Sequence, residues 1–212
     1  MKTNLVLCVV CVVCLAGCME TVNKSAGDQW LSLFNGKDLT GWKASEKEGC
    51  FSVENGAIKV SNGRSHLFYT GPATNADFTD FAFSAQVMTT PGSNSGIYFH
   101  TEYQEKGWPK KGYESQVNIS HKDVQKSGSL YAAAKVFEVG AKDNEWYTQQ
   151  ITVKGKHVEV KINGQTVVDY TEADDVSFKG WPGRRLSHGT FALQGHDPKS
   201  TVYFKDIKVK PL

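Results

Sequence analysis

A sandwich of two antiparallel β-sheets is the fold class this sequence predicts, on three observations. Apolar and polar residues alternate in short runs along most of the chain, the period of a half-buried strand. Two of the Asn-Gly dipeptides, Asn55-Gly56 and Asn163-Gly164, separate such runs in hairpin spacing, and this dipeptide tolerates the positive φ of tight hairpin turns. Strong helical periodicity appears nowhere. The 20 glycines, 11 phenylalanines, 8 tyrosines and 5 tryptophans suit the same class.

The N-terminus belongs to export rather than to the fold. Lys2 supplies a basic start, Leu5 to Leu15 form an apolar stretch too short to span a bilayer, and Leu15-Ala16-Gly17-Cys18 closes it. That ending resembles the bacterial lipoprotein box, which implies cleavage before Cys18 and lipidation of its thiol. Residues 1–17 are then the signal, 18–29 a polar tether and 30–212 one domain, since no composition shift marks a second. Met19 after the lipidated residue favours an outer membrane, with the domain facing the periplasm. Cys8, Cys11 and Cys14 leave with the signal, so Cys50 remains alone, read as a small buried hydrophobe.

In chain order, Trp30 to Phe34 and Leu39 to Lys43 read as a first hairpin around Asn35-Gly36-Lys37-Asp38, with Trp30 and Trp42 in the core. Phe51 to Glu54 pairs with Ala57 to Val60. Strands are expected at Leu67 to Tyr69, Phe81 to Met88, Leu130 to Ala132, Phe191 to Gln194 and Val202 to Val209. A meander runs from Trp146 to Tyr170 through turns at Lys154-Gly155-Lys156 and Asn163-Gly164. Two longer connections carry Trp108-Pro109 and Trp181-Pro182-Gly183-Arg184-Arg185, and loops at a sheet rim often carry function. Each Trp either covers a sugar face or packs on its own loop.

The polar residues concentrate on the two runs Asn94 to Glu102 and Tyr113 to Ile119. Alternation sends Ile97, Phe99, Val117 and Ile119 to the core and Tyr98, His100, Glu114, Gln116 and Asn118 to the opposite face. A merely solvated face is the alternative, but it would carry more Lys, Thr and Arg. Phe191 and Leu193 alternate likewise with Gln194, and His196 follows at the strand end, either as a turn residue or as part of the same cleft. With 24 Lys plus Arg against 22 Asp plus Glu, and no basic run longer than a pair, the chain lacks the footprint of a nucleic-acid-binding protein.

Trp30-Leu31-Ser32-Leu33-Phe34-Asn35-Gly36-Lys37-Asp38-Leu39-Thr40-Gly41-Trp42, Asn94-Ser95-Gly96-Ile97-Tyr98, Gly112-Tyr113-Glu114-Ser115-Gln116, Asn144-Glu145-Trp146, Leu193-Gln194-Gly195-His196 and Val202-Tyr203-Phe204-Lys205-Asp206-Ile207 resemble, in order, the 3-keto-disaccharide hydrolase family, also described as 3-keto-glucoside lyase and hydratase. The resemblance implies a concanavalin A-like jelly roll and an exported role in carbohydrate breakdown. Glucanases of that fold carry two catalytic carboxylates at alternate positions of one strand. Here the pattern is Glu114, Gln116, Asn118, with one carboxylate, which disfavours double displacement.

Elimination from a 3-keto sugar needs a base at carbon 2 and polar contacts for the enediolate oxygen. His100, His196 or Glu114 is the expected proton-transfer group. Gln116, Asn118 and Gln194 would orient hydroxyls, Tyr98 would act toward the leaving group, and Trp108 would contact the sugar. No cofactor is certain. A divalent metal between the two histidines and Glu114 stays open, although the spacing matches no zinc signature. The chain has no dinucleotide fingerprint, so oxidation at carbon 3 falls to a separate sugar oxidoreductase upstream. A lipid-anchored carbohydrate-binding module without chemistry is the rival reading.

Overall fold

The computed structural model describes residues 29–212. The expected signal 1–17, Cys18 and all but the end of the 18–29 tether lie outside the described residues. Among the described residues thirteen strands are present: β1 (Leu31–Ser32), β2 (Trp42–Ala44), β3 (Phe51–Glu54), β4 (Ala57–Val60), β5 (Ser65–Tyr69), β6 (Phe81–Thr89), β7 (Asn94–Thr101), β8 (Tyr113–Asn118), β9 (Tyr147–Lys154), β10 (His157–Ile162), β11 (Gln165–Thr171), β12 (Thr190–Gly195) and β13 (Val202–Pro211). They form two antiparallel sheets, a jelly-roll-like all-β sandwich. An eight-stranded sheet runs β11-β10-β9-β6-β13-β4-β3 with β1 added on β13, and a five-stranded sheet runs β2-β5-β12-β7-β8.

The Asn-Gly turns lie where the sequence puts them. Asn55 and Asn163 take φ of 51° and 50°, joining β3 to β4 and β10 to β11. Between the sheets, Phe81, Phe83, Ile151, Val153 and Phe204 meet Ile97, Phe99, Phe191 and Leu193 in one core. The Phe81 and Phe191 rings stand 4.9 Å apart, edge to face. Each such side chain contributes about 1.5–3 kcal/mol on burial, so the register of the central strands is tightly specified. Cys50 is a buried free thiol, raised in pKa by that burial.

Three expectations are corrected. The first turn exists, with Asn35 Oδ1 accepting from the Lys37 and Asp38 amides, but it does not close a hairpin. β1 pairs with β13 and β2 with β5, so the turn carries the chain from one sheet to the other. Two or three residues gain little from pairing with each other; each instead extends a longer strand. Trp42 is buried and donates its indole N–H to the Leu33 carbonyl, whereas Trp30 is 38% exposed. Leu130 to Ala132 is not a strand, because Ala132 has φ 70° and only Leu130 forms isolated bridges.

The outer face of the smaller sheet, where the sequence favours a cleft over a solvated surface, is enclosed. All residues of β7, β8 and β12 are buried, on both faces. The face turned away from the core is therefore covered by connecting loops rather than solvated. That cover is what makes a site there.

Candidate active site

The site is laid out by the register of four neighbouring strands. One row across β5, β12, β7 and β8 reads His66, Gln194, Gly96, Gln116, and the next reads Phe68, Ala192, Tyr98, Glu114. Gly96 leaves a gap in its row, and the Glu114 side chain fills it. A Cβ on Gly96 would stand 2.6 Å from Glu114 Oε1 and 2.9 Å from its Cγ. Glycine is required by this close approach.

Through that gap Glu114 reaches across the sheet. Its Oε1 accepts from Gln194 Nε2 at 2.8 Å and its Oε2 from the Tyr98 hydroxyl at 2.8 Å. With its amide turned to donate, Gln116 adds contacts of 3.3 Å to Oε1 and 2.9 Å to the Ser95 carbonyl. Glu114 is buried, and desolvation pushes its carboxyl above the ordinary carboxylate range. The Arg184 guanidinium and the Tyr98 and Gln194 hydrogen bonds oppose that push. Burial and the neighbouring Glu114 together raise the Tyr98 phenol well above its usual value. Gln194 Oε1 is buried with no partner.

Above this floor opens a cavity of about 230 Å³, lined by Asn94, Tyr98, Trp108, Glu114, Gln116, Asp123, Tyr131, Trp181, Gln194 and His196. Trp108 comes from the β7–β8 connection and Trp181 from the β11–β12 connection, so both tryptophans line the cleft. Arg184 lies buried over the Trp181 and Tyr131 rings, at 4.5 and 5.4 Å, and donates to the Tyr131 carbonyl. At the rim, His196 Nδ1 is 2.9 Å from Asp197 Oδ2, and the Trp108 ring packs on the imidazole. Burial raises the Asp197 carboxyl, but hydrogen bonds from His196 and Ser200 outweigh it and hold it at about 2.

Tyr98, Trp108, Glu114, Gln116, Gln194 and His196 are thus brought together. His100 is not. Phe99 and His100 together oppose Phe191, a bulge in which His100 takes φ 54° and breaks the alternation. Its ring turns inward against Phe81; Nε2 donates to the Thr79 carbonyl at 2.8 Å and Nδ1 accepts from Ser187 N at 3.2 Å. Desolvation lowers its pKa. Asn118 also misses the cavity: its amide donates to the Asp123 and Gln125 carbonyls and accepts from His121 N, holding the loop that delivers Asp123. The metal set of His100, His196 and Glu114 does not assemble. The residues that do gather are His121, His196 and Asp197.

Sequence reasoning missed Asn94, Asp123, Tyr131, Arg184 and His66. Asn94 shares the alternation of Gly96 and Tyr98 and was within reach of that argument. Asp123, Tyr131 and Arg184 sit in irregular segments, where no period says which way a side chain faces.

Fold and site together define an all-β, galectin- or jelly-roll-like sandwich with a polar cleft between aromatic side chains on its smaller sheet. Residues 29–210 match the family described as the 3-keto-alpha-glucoside-1,2-lyase-like domain, and the chain belongs to that family. Its function is carbohydrate-related. A Parabacteroides distasonis ATCC 8503 protein provisionally described as a glycosyl hydrolase superposes with TM-score 0.73 at 24% identity, over 86% of this chain and 94% of that one. A second from that source superposes with TM-score 0.68 at 21% identity, over 87% and 100%. Carbohydrate binding module CBM66 from Bacillus subtilis gives TM-score 0.56 at 14% identity, over 80% and 95%. These likenesses show the fold. No curated protein matches the chain.

Proposed function

We propose that this protein cleaves 3-keto-glycosides by elimination, with Glu114 as the base at carbon 2. The observation that carries the reading is a buried carboxylate on the floor of the cleft, raised in pKa yet supplied with amide and phenol donors. A carboxylate whose pKa is raised is a stronger base than an exposed one. The ketone at carbon 3 acidifies the carbon 2 hydrogen. Glu114 removes it, and the electron pair moves into an enediolate; as Glu114 loses its charge, the Gln116 and Gln194 amides turn N–H groups that had served it toward the enediolate oxygens. The pair then forms the carbon 1–carbon 2 double bond, the carbon 3 carbonyl is restored, and the carbon 1–oxygen bond breaks. The proton passes from Glu114 through the Tyr98 hydroxyl to the departing oxygen. Water then adds across the new double bond.

A cavity of about 230 Å³ suits one sugar ring, since sites for drug-sized ligands start at roughly 300 Å³. Trp108 and Trp181 supply the aromatic walls for its faces. The same proposal includes export, a lipid on Cys18, an outer-membrane position facing the periplasm and a separate oxidoreductase that makes the ketone.

The test is a 3-keto glucoside carrying deuterium at carbon 2, incubated in ordinary water and followed by mass spectrometry. Loss of deuterium with aglycone release is expected, with little action on the parent glycoside. Full retention during release means direct hydrolysis, for which Asp123 is the second carboxylate lining the cleft. The fold shared with CBM66 favours a second reading, a binding module; measurable sugar binding with no release would establish it instead.

A further inference from the structure

His121, His196 and Asp197 come from two places in the chain that only the fold brings together. His121 follows β8, and His196-Asp197 follows β12. Among the described residues these three form the group whose ligand-type atoms all lie within 4.8 Å of one another. We propose that they bind a first-row divalent transition metal of the zinc class at the rim of the cleft.

The donor set points to that class. Two imidazoles and one carboxylate suit zinc and its neighbours better than calcium or magnesium, which prefer all-oxygen sites. His196 Nδ1 and Asp197 Oδ2 are 2.9 Å apart. Two ligands at about 2.1 Å from one ion and about 90° to each other stand at roughly that separation. The His121 and His196 rings are 5.6 Å apart between centroids and inclined at 67°. Ligands of one ion stand at most about 4.2 Å apart, twice that bond length. The candidate ligand atoms lie within 4.8 Å of one another, and any remaining gap is closed by rotation of the half-buried His121. Binding takes the place of the hydrogen between His196 Nδ1 and Asp197 Oδ2, which shifts to Nε2 of the neutral ring.

Outer contacts hold the ligands in place. Asp197 is fixed by the Ser200 hydroxyl and the Lys199 amide, and the His196 ring is backed by Trp108. His121 Nδ1 accepts from the Asp123 backbone N–H at 3.1 Å and lies 3.3 Å from the Asn94 amide, so the ring proton sits on Nε2; ligation by Nε2 moves that proton to Nδ1, where the Asn94 amide, turned over, accepts it once the ring has rotated off the Asp123 amide. Such partners set ring orientation in metal sites. Three protein ligands leave a coordination position open, as in metal sites that take a substrate oxygen. His196 and Asn94 also line the cavity, so that position would face a sugar in the cleft.

The inference does not depend on the elimination reaction, because it is tested without sugar. The whole chelator-stripped domain is titrated calorimetrically with Zn2+, and with Co2+ while the visible absorption of the cobalt complex is recorded. One equivalent is expected to bind with the absorption of a low-coordinate nitrogen and oxygen site. His121→Gln and His196→Gln should each weaken binding by about a hundredfold, with circular dichroism of the metal-free variants confirming that they fold. No binding at millimolar metal, or unchanged affinity in both folded variants, would overturn it.

Discussion

Gly96 is the residue on which the site's geometry turns. Without a Cβ it lets Glu114 cross from β8 toward β12, where Gln194 and Tyr98 bind the carboxylate. Gly96→Ala should displace that carboxylate and lower turnover on a 3-keto glucoside by tenfold or more, with a normal circular dichroism spectrum. Glu114 also sets an expected pH profile. As a base it works ionised and its pKa is raised, so kcat/KM should fall as pH drops through a midpoint above the ordinary carboxylate range. Glu114→Gln should lose about 10² to 10⁴ in rate.

His66 lies next to Gln194, fully buried, with both ring nitrogens unpartnered and aromatic rings of Phe68, Tyr98 and Trp108 around it. Desolvation lowers its pKa to about 3. Below about pH 6.5 the unfolded chain takes up this proton, whereas the folded chain does not until about pH 3. The stability that the neutral ring confers is complete above pH 6.5 and is lost as pH falls across that window, at up to about 1.4 kcal/mol per pH unit. His66→Phe should flatten the acid limb, so its stability relative to wild type rises as pH falls. Urea unfolding at pH 7, 5.5 and 4.5 checks this, and a constant difference across the three would refute it.

Among the elements, β7 decides which side chains enter the cleft. Its first residues alternate as a regular strand, and the bulge at Phe99–His100 then reverses the pattern, sending one imidazole into the core. Gly112 packs directly on this bulge. A Cβ there would lie far inside contact distance of the Phe99 carbonyl oxygen and within 2.7 Å of His100 C, and its φ of 74° already disfavours a side chain. Gly112→Ala should cost about 2–4 kcal/mol in urea unfolding. His100→Ala should likewise act on stability, leaving kcat largely unchanged in the folded fraction; a large drop in kcat at normal stability would return His100 to the chemistry.

For the whole molecule, the sandwich supplies a rigid frame and the loops supply the walls. Strands β5, β12, β7 and β8 hold the polar floor, while connections far apart in sequence bring Trp108, Asp123 and Trp181 over it. Rigid floor and loop-borne walls are a common division between positioning and specificity. Beyond the described residues, the N-terminal segment is expected to fix where this frame works. Cys18→Ala should abolish labelling by a palmitate analogue and leave the domain unattached. Unchanged labelling would remove the proposed anchor.

The sequence by itself determined most of the strands, the hairpins at Asn55-Gly56 and Asn163-Gly164 and half of the polar floor, because strand alternation and turn chemistry are local properties of the chain. It was enough to put Tyr98, Glu114 and Gln116 on one face and Gln194 beside them. Tertiary structure decided the rest. A one-residue bulge reverses the face of His100, the short first strands choose partners in opposite sheets, and Asn118 is spent on holding a loop. Irregular segments have no period, so the convergence of Asp123, Tyr131, Arg184 and His121 on the cleft depends on packing between distant parts of the chain. Glu114 shows the boundary most plainly: its strand face is written in the alternation, but its passage across β7 depends on a glycine in a neighbouring strand, and that adjacency exists only once the sheet has formed.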